Sequence, residues 1–241
     1  MKESLVIIPT YNEIENVESI IRHVFGLEKP LDILIVDDGS PDGTAAKVKE
    51  LRQEFPERLH LLEREGKQGL GTAYIAGFGY ALEAGYELIY EMDADFSHNP
   101  DDLLKLREAC LGGAGVAVGS RYVSGVNVVN WPMGRVLMSY FASKYVRMIT
   151  GLPIHDTTAG FVCYRREVLE KMPLDRIRFV GYAFQIEMKF TAWKYGFKIQ
   201  EVPIIFTDRT LGTSKMSGGI FTEALFGVVS LTVESWFRKY N

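Results

Sequence analysis

Two aspartates one residue apart, Asp93 and Asp95, lie in Glu91-Met92-Asp93-Ala94-Asp95-Phe96-Ser97-His98, at the end of the strand-like run Glu87-Leu88-Ile89-Tyr90-Glu91-Met92. Carboxylates at i and i+2, where a strand breaks into a loop, can converge on one hard cation. Mg²⁺ or Mn²⁺ takes such oxygen ligands, and Mg²⁺ commonly uses one or two carboxylates and completes its shell with phosphate and water. The pattern points to a metal–diphosphate site. The same residues also suit an acidic turn capping a helix that begins near Pro100, and spacing alone leaves both readings open.

A loop of this kind needs a sheet to hold it. Residues 4–8 read as a strand, and residues 13–25 as a helix with Ile14, Val17, Ile20, Ile21 and Val24 on one face. A buried strand at 32–36 leads into Asp37-Asp38-Gly39-Ser40-Pro41-Asp42-Gly43-Thr44, a turn rich in caps and breakers. A helix to about residue 55, a strand at 58–62, a helix at 69–84, a strand at 87–92, a helix at 101–110 and a strand at 115–118 follow. Such alternation with near-continuous apolar strands predicts an α/β fold, a largely parallel sheet covered by helices. Ligands of open α/β sheets bind beyond the carboxyl ends of the strands. Three polar clusters fall there: Pro9-Thr10-Tyr11-Asn12-Glu13, Asp37-Asp38 and Asp93-Ala94-Asp95. Together they outline a nucleotide pocket. No Gly-x-Gly-x-x-Gly follows the first strand and no Gly-x-x-x-x-Gly-Lys-Ser/Thr occurs, which excludes the common dinucleotide and phosphate-loop readings.

The 241 residues suit one large domain, or one domain with an appendage, and 47% apolar with 24% charged residues is an ordinary globular composition. A net charge of −4 and no long basic run argue against a nucleic-acid partner. Cys110 and Cys163 are the only cysteines. Two cannot build a disulfide framework or a metal finger; they fit a reducing compartment and read as small core residues. The N-terminal apolar run is too short for a signal peptide, and no window reaches the roughly 18 uncharged apolar residues of a membrane span. Residues 218–237 come nearest, but Glu223 and Glu234 interrupt them, so they read as an interfacial or packed helix.

Ile7-Ile8-Pro9-Thr10-Tyr11-Asn12-Glu13, then Val36-Asp37-Asp38-Gly39-Ser40-Pro41-Asp42-Gly43-Thr44, then Met92-Asp93-Ala94-Asp95 resemble the dolichol-phosphate (polyprenol-phosphate) mannosyltransferases, inverting glycosyltransferases of the GT-A fold. The resemblance continues through Gly119-Ser120-Arg121-Tyr122, Asn130-Trp131-Pro132 with Arg135 and Ser139, Asp156-Thr157-Thr158-Ala159-Gly160-Phe161, and Arg209 with Gly212, Ser214 and Lys215. The first two motifs are common to many nucleotide-sugar transferases; the later ones are more specific to the polyprenol-phosphate branch. The resemblance implies a GT-A domain over residues 1–217 and a C-terminal apolar helix over 218–241. It implies that Pro9, Tyr11, Glu13, Val36 and Asp38 hold the base and ribose of a nucleotide sugar, GDP-mannose first among them. Asp93 and Ala94 continue that pocket, and Asp93 and Asp95 carry Mg²⁺ or Mn²⁺. Ser97 stands where some members have a glutamine ligand, so it binds the metal directly, through water, or not at all. Arg121, Arg135 and Ser139 receive the acceptor's phosphate, and Arg209 and Lys215 the donor's diphosphate. Asp95, Arg121 and Arg135 are thus the expected catalytic residues.

This division is electrostatically sensible, because a diphosphate and a monophosphate repel each other and need cations between them. No separate general base is required, since a phosphate monoester with a second pKa of about 6 is mostly a dianion at neutral pH. Glu187 is the carboxylate to weigh as a base, against a helix-surface or substrate-hydroxyl role; His98 and His155 read as turn or supporting residues. A polyprenol acceptor lives in a bilayer, and residues 135–150 mix apolar side chains with Arg135, Lys144 and Arg147. Such a helix can lie among headgroups or pack in a core. The expected partners are therefore a nucleotide sugar, polyprenyl phosphate, the cytoplasmic face of a membrane and, as one option, a separate membrane-anchoring subunit. Transfer from UDP-glucose or another nucleotide sugar, a saccharide acceptor, and a non-enzymatic nucleotide-sugar-binding scaffold are the competing readings.

Overall fold

Leu5-Val6-Ile7-Ile8 has no polar side chain to offer water, and it becomes the fully buried centre of β1 (Lys2–Thr10). Period-2 geometry sends Val6 and Ile8 into one hydrophobic layer and Leu5 and Ile7 into the opposite one, so the strand is covered on both faces. The computed structural model describes residues 2–208 and 220–240. Among them, β1, α1 (Val17–Phe25), β2 (Asp32–Asp37), α2 (Thr44–Glu54), β3 (Leu59–Glu63), α3 (Leu70–Ala84), β4 (Tyr86–Glu91), α4 (Asp102–Leu111) and β5 (Val116–Ser120) follow the alternation expected from the sequence. Helices α1, α2 and α4 cover one face; α3 covers the other.

The second half adds β6 (Val128–Val129), α5 (Met133–Thr150), β7 (Val162–Arg165), α6 (Arg166–Lys171), α7 (Tyr182–Lys194), β8 (Ile199–Pro203), β9 (Phe206–Thr207) and α8 (Ile220–Phe237). The main sheet has the order β3-β2-β1-β4-β7-β5-β8, and β6 pairs with β9 in a small ribbon. β7 is antiparallel to both β4 and β5, which leaves β5 parallel to β4 with its carboxyl end on the same edge. The sheet is therefore mixed and mainly parallel. Gly119 in β5 lies so close to β7 that a Cβ there would stand 2.6 Å from Phe161 Cδ1. Cys110 and Cys163 are buried and free, as their sparse use suggested.

One helix begins later than periodicity indicates. Residues 13–16 form turns, not the first turn of α1, and Ile14 is exposed instead of facing the core. This stretch is held by long-range bonds: Glu13 N–H donates to Thr44 Oγ1 (3.0 Å) and Ile14 N–H to Asp42 Oδ2 (3.1 Å). Side chains of the β2–α2 turn thereby fix the loop after β1.

Behind the β4 end lies a buried polar chain. Gln185 Nε2 donates to Glu91 Oε2 (2.7 Å), and Lys189 Nζ donates to Ala159 O (2.6 Å) and Gln185 Oε1 (3.2 Å). Burial pushes the Glu91 carboxyl up to about 8 and the Lys189 ammonium down to about 8. Each group is tolerable inside only because of the other and of the amide between them. Lys189→Met should lower folding stability by about 3–5 kcal/mol, the usual cost of stranding one member of a buried pair. Glu91 is raised in the folded state above its ordinary 4.5, so the unfolded chain releases its proton first as pH increases. Wild-type stability should therefore fall as pH rises from about 4.5 through about 8, and denaturant melts of wild type and Lys189→Met across that range will check both the sign and the size of the deficit.

Candidate active site

The strand ends assemble the site through backbone and side-chain bonds. Asp38 N–H donates to Thr10 O, Met92 N–H to Ile7 O, and Thr10 Oγ1 to Asp37 Oδ2 (2.8 Å). The three clusters at the ends of β1, β2 and β4 thus sit side by side, because β2, β1 and β4 are neighbouring parallel strands. Pro9, Tyr11 and Glu13 are half-buried along the first loop. Val36 and Ala94 are buried in the hydrophobic layers, so Val36 meets a ligand through its backbone if at all. Asp38 is nearly buried beside Arg64, whose Nε is 3.2 Å from Asp38 Oδ1; burial raises the Asp38 carboxyl and Arg64 opposes that rise. Lys67 Nζ lies 5.4 Å from the Tyr11 ring centre, a cation at the mouth of the same recess.

Asp93 is half-exposed, while Asp95 and Ser97 are buried. Asp95 Oδ1 accepts the Ser97 N–H (3.1 Å), closing a tight turn. Ser97 Oγ is buried with no hydrogen-bond partner among the described residues. Two carboxylates and an unpartnered buried hydroxyl form an all-oxygen donor set, which fits Mg²⁺ or Mn²⁺ in chemistry. No group of three or more His, Cys, Asp or Glu gathers at a metal-holding spacing among the described residues. A cation here would draw its remaining ligands from phosphate and water.

Backbone strain marks the same region. Among the described residues, the non-glycine positions with positive φ are Asn12 (56°), Phe96 (58°) and Asn130 (64°). They fall in the loop after β1, between Asp95 and Ser97, and beside Trp131. Asparagine tolerates this conformation; for Phe96 it costs on the order of 1–3 kcal/mol and persists because its ring packs on the core.

Arg121 emerges at the end of β5 and is clamped by Asp156. Its backbone N–H and Nε donate to Asp156 Oδ2 (2.9 and 2.7 Å), and Nη2 donates to Asp156 Oδ1 (2.6 Å) and Thr158 Oγ1 (3.0 Å). Burial alone would raise the Asp156 carboxyl, but the charge and hydrogen bonds of Arg121 outweigh it and hold it below the ordinary value. Arg135, in the first turn of α5, donates through Nη1 to both oxygens of Asp208 (2.9 and 3.1 Å). The two guanidiniums share one indole: Cζ of Arg121 is 5.5 Å and Cζ of Arg135 4.1 Å from the Trp131 ring centre. Ser139 joins them through Tyr122, whose hydroxyl donates to Ser139 Oγ (2.8 Å). Phe206 connects this recess to the aspartate loop, with its ring 5.1 Å from Trp131 and 5.2 Å from His98, and Thr207 N–H donates to Ser97 O. Arg209 and Lys215 lie outside the described residues.

Glu187 is neither on a helix surface nor placed as a base. It is buried, and its Oε2 accepts the backbone N–H groups of Arg178 (2.9 Å) and Phe179 (3.0 Å), pinning the turn before α7. Burial raises its carboxyl. His98 is stacked on Phe161 at 5.0 Å and pushed down to about 4 by burial, so it is neutral at physiological pH. His155 is exposed and bonds Glu201 through Nδ1 (2.7 Å). Residue types alone did not single out Arg64, Phe206 or Asp208, and assigned no role to Trp131 or Asp156. Their only advance signal was membership of, or nearness to, the polar motifs.

Comparison with known proteins gives the family and the fold. Residues 5–172 match the model of glycosyl transferase family 2. Over 227 residues the chain is 50% identical to the polyprenol monophosphomannose synthase of Mycolicibacterium smegmatis, covering 94% of this chain and 86% of that protein. Over 224 residues it is 46% identical to the undecaprenyl-phosphate mannosyltransferase of Micrococcus luteus, covering 93% and 91%. Among solved structures, the mannosyltransferase of Pyrobaculum calidifontis in complex with GDP-Man and Mn²⁺ shares the fold with a TM-score of 0.58 at 17% identity, covering 96% of this chain and 73% of that one. The chain belongs to glycosyl transferase family 2, in its branch of GT-A-fold polyprenol-phosphate mannosyltransferases.

Proposed function

We propose that the protein transfers mannose from GDP-mannose to the phosphate of a polyprenyl monophosphate, with inversion at the anomeric carbon, at the cytoplasmic face of a membrane. The observation that carries this reading is the convergence of Arg121 and Arg135 on Trp131, with Ser139 linked through Tyr122, beside the aspartate loop. A neutral hydroxyl acceptor has no use for two guanidiniums held at one recess; a phosphate does. The relatives' names and the donor bound to the Pyrobaculum enzyme support mannose and GDP.

In this reading, Pro9, Tyr11, Glu13, the Val36 backbone and Asp38 line the nucleoside end of the donor, and Asp93, Ala94 and Asp95 lie under its diphosphate. Asp93, Asp95 and Ser97 would hold a divalent cation, which when bound offsets the charge of the departing diphosphate. Arg209 and Lys215 are proposed for that diphosphate from the family resemblance. Arg121 and Arg135 neutralise and align the attacking phosphate oxygen, which needs no base. Asp156 holds Arg121 in place before the acceptor arrives, so less ordering is left for the binding step.

No helix among the described residues is long and apolar enough to cross a membrane. On α5, Met133, Leu137, Phe141 and Met148 are exposed, and on α8, Phe226, Val229, Val233, Trp236 and Phe237 are exposed. We assign residues 1–217 to the catalytic domain and residues 218–241, whose helix α8 packs on α5 and α7, to the membrane-contacting part.

Asp95→Asn should retain the fold by circular dichroism yet reduce mannosyl transfer by at least about 100-fold. Wild-type turnover in that variant would remove the metal assignment. Chelation should abolish transfer, with recovery on adding back Mg²⁺ or Mn²⁺. Arg135→Ala should raise the KM for polyprenyl phosphate by roughly 10–100-fold, the worth of one or two charge-assisted hydrogen bonds, with little change in the KM for donor. An unchanged acceptor KM would favour a saccharide acceptor instead.

A further inference from the structure

A second cationic recess lies next to the acceptor site. Tyr122, Tyr140, Lys144, Arg147 and His155 line a cavity of about 70 Å³, room for one phosphate group. Tyr122 bounds both recesses: its ring lies 5.2 Å from Arg121 Cζ and its hydroxyl holds Ser139, while the residue also lines the cavity. Tyr140, Lys144 and Arg147 stand at i, i+4 and i+7 of α5 and so form one stripe. The exposed apolar residues Leu137, Phe141 and Met148 form the neighbouring stripe. On the other side of the cationic stripe, Ser143, Val146 and Thr150 are buried against the protein. The cations thus run along the boundary between an exposed apolar strip and the protein body, where the headgroup layer would lie against a docked helix.

Lys144 and Arg147 are set apart from other surface cations without an ion pair, such as Lys29 and Lys198, by lining one cavity together. Arg22, Arg107, Arg166 and Arg178 all pair with carboxylates, but no carboxylate pairs with Lys144 or Arg147 among the described residues. His155 is fixed by Glu201 through Nδ1, which leaves Nε2 as the ring's remaining polar atom. Two unpaired cations, an imidazole and tyrosines at one cavity are complementary to a phosphodiester anion.

We propose that this cavity binds the phosphate of an anionic membrane phospholipid, and so orients the enzyme with its acceptor recess toward the bilayer. The inference rests on the membrane-surface reading above. The test is co-sedimentation of the full chain with vesicles of neutral phosphatidylcholine, alone or with 30% phosphatidylglycerol. Wild type should bind the anionic vesicles roughly tenfold or more tightly, and Lys144→Gln/Arg147→Gln should lose that preference while keeping binding to neutral vesicles and to GDP, consistent with about fivefold per surface cation. Inorganic phosphate, at ionic strength matched with chloride, should reduce the preference in wild type and have no effect in the double variant. Equal binding of wild type to both vesicles, or a preference that survives the double substitution, would overturn the proposal and leave the membrane reading standing. Phosphate protection of wild type from thermal unfolding without any vesicle preference would make this a free-phosphate site and overturn the lipid assignment. Failure to bind either vesicle would instead sink the membrane reading itself, and this site with it.

Discussion

The parallel pairing of β2, β1 and β4 is the constraint on which the rest of the site depends. Parallel strands release their chains at one edge, so the loops after Thr10, Asp37 and Glu91 emerge within reach of one ligand. Helices are required to return the chain, and they must cover both faces, which is why Leu5 to Ile8 carries no polar side chain. The single reversal, β7, sits between β4 and β5 and is antiparallel to both. It therefore restores β5 to the common direction and delivers Arg121 to the edge already occupied by the aspartates.

Around that edge, buried and half-buried charges come in matched sets. Arg121 meets Asp156, Arg64 meets Asp38, Arg135 meets Asp208, and Lys189 faces Glu91 through Gln185. Such pairs are poor sources of net stability because desolvation offsets much of the attraction. Their value here lies in fixed direction. A guanidinium already gripped by a carboxylate gives up less freedom on meeting a phosphate, and Trp131 between the two arginines fixes their spacing. The strained Phe96 belongs to the same arrangement, since its left-handed backbone lies between Asp95 and Ser97.

Much of this was readable along the chain. Apolar runs marked the strands of the first half, turn residues marked their ends, and the family motifs named Arg121, Arg135 and Ser139. The failures have a common origin. The stretch before α1 is held by Thr44 and Asp42, about thirty residues away, which accept the Glu13 and Ile14 N–H groups, a contact no local pattern shows. By sequence Glu187 is weighed as a base against a helix-surface or substrate-hydroxyl role, but the chain folds Arg178 and Phe179 over it as donors. Asp208 and Phe206 carry no local pattern; they matter because β9 places them against Arg135 and Trp131.

Sequence by itself determined the alternating α/β order, the three polar strand ends, the oxygen-rich Asp93-Ala94-Asp95 turn and the family. These follow from local periodicity, turn chemistry and short motifs, all of which act over a few residues. Tertiary structure alone decided the strand order with its central antiparallel strand, the pairing of each arginine with its aspartate, and the sharing of Trp131. It also decided the placement of Lys144 and Arg147 at a cavity between the acceptor recess and an exposed apolar stripe. Those features are contacts between residues far apart in the chain. Their energies arise from desolvation and close packing, which do not exist until the strands and helices have met.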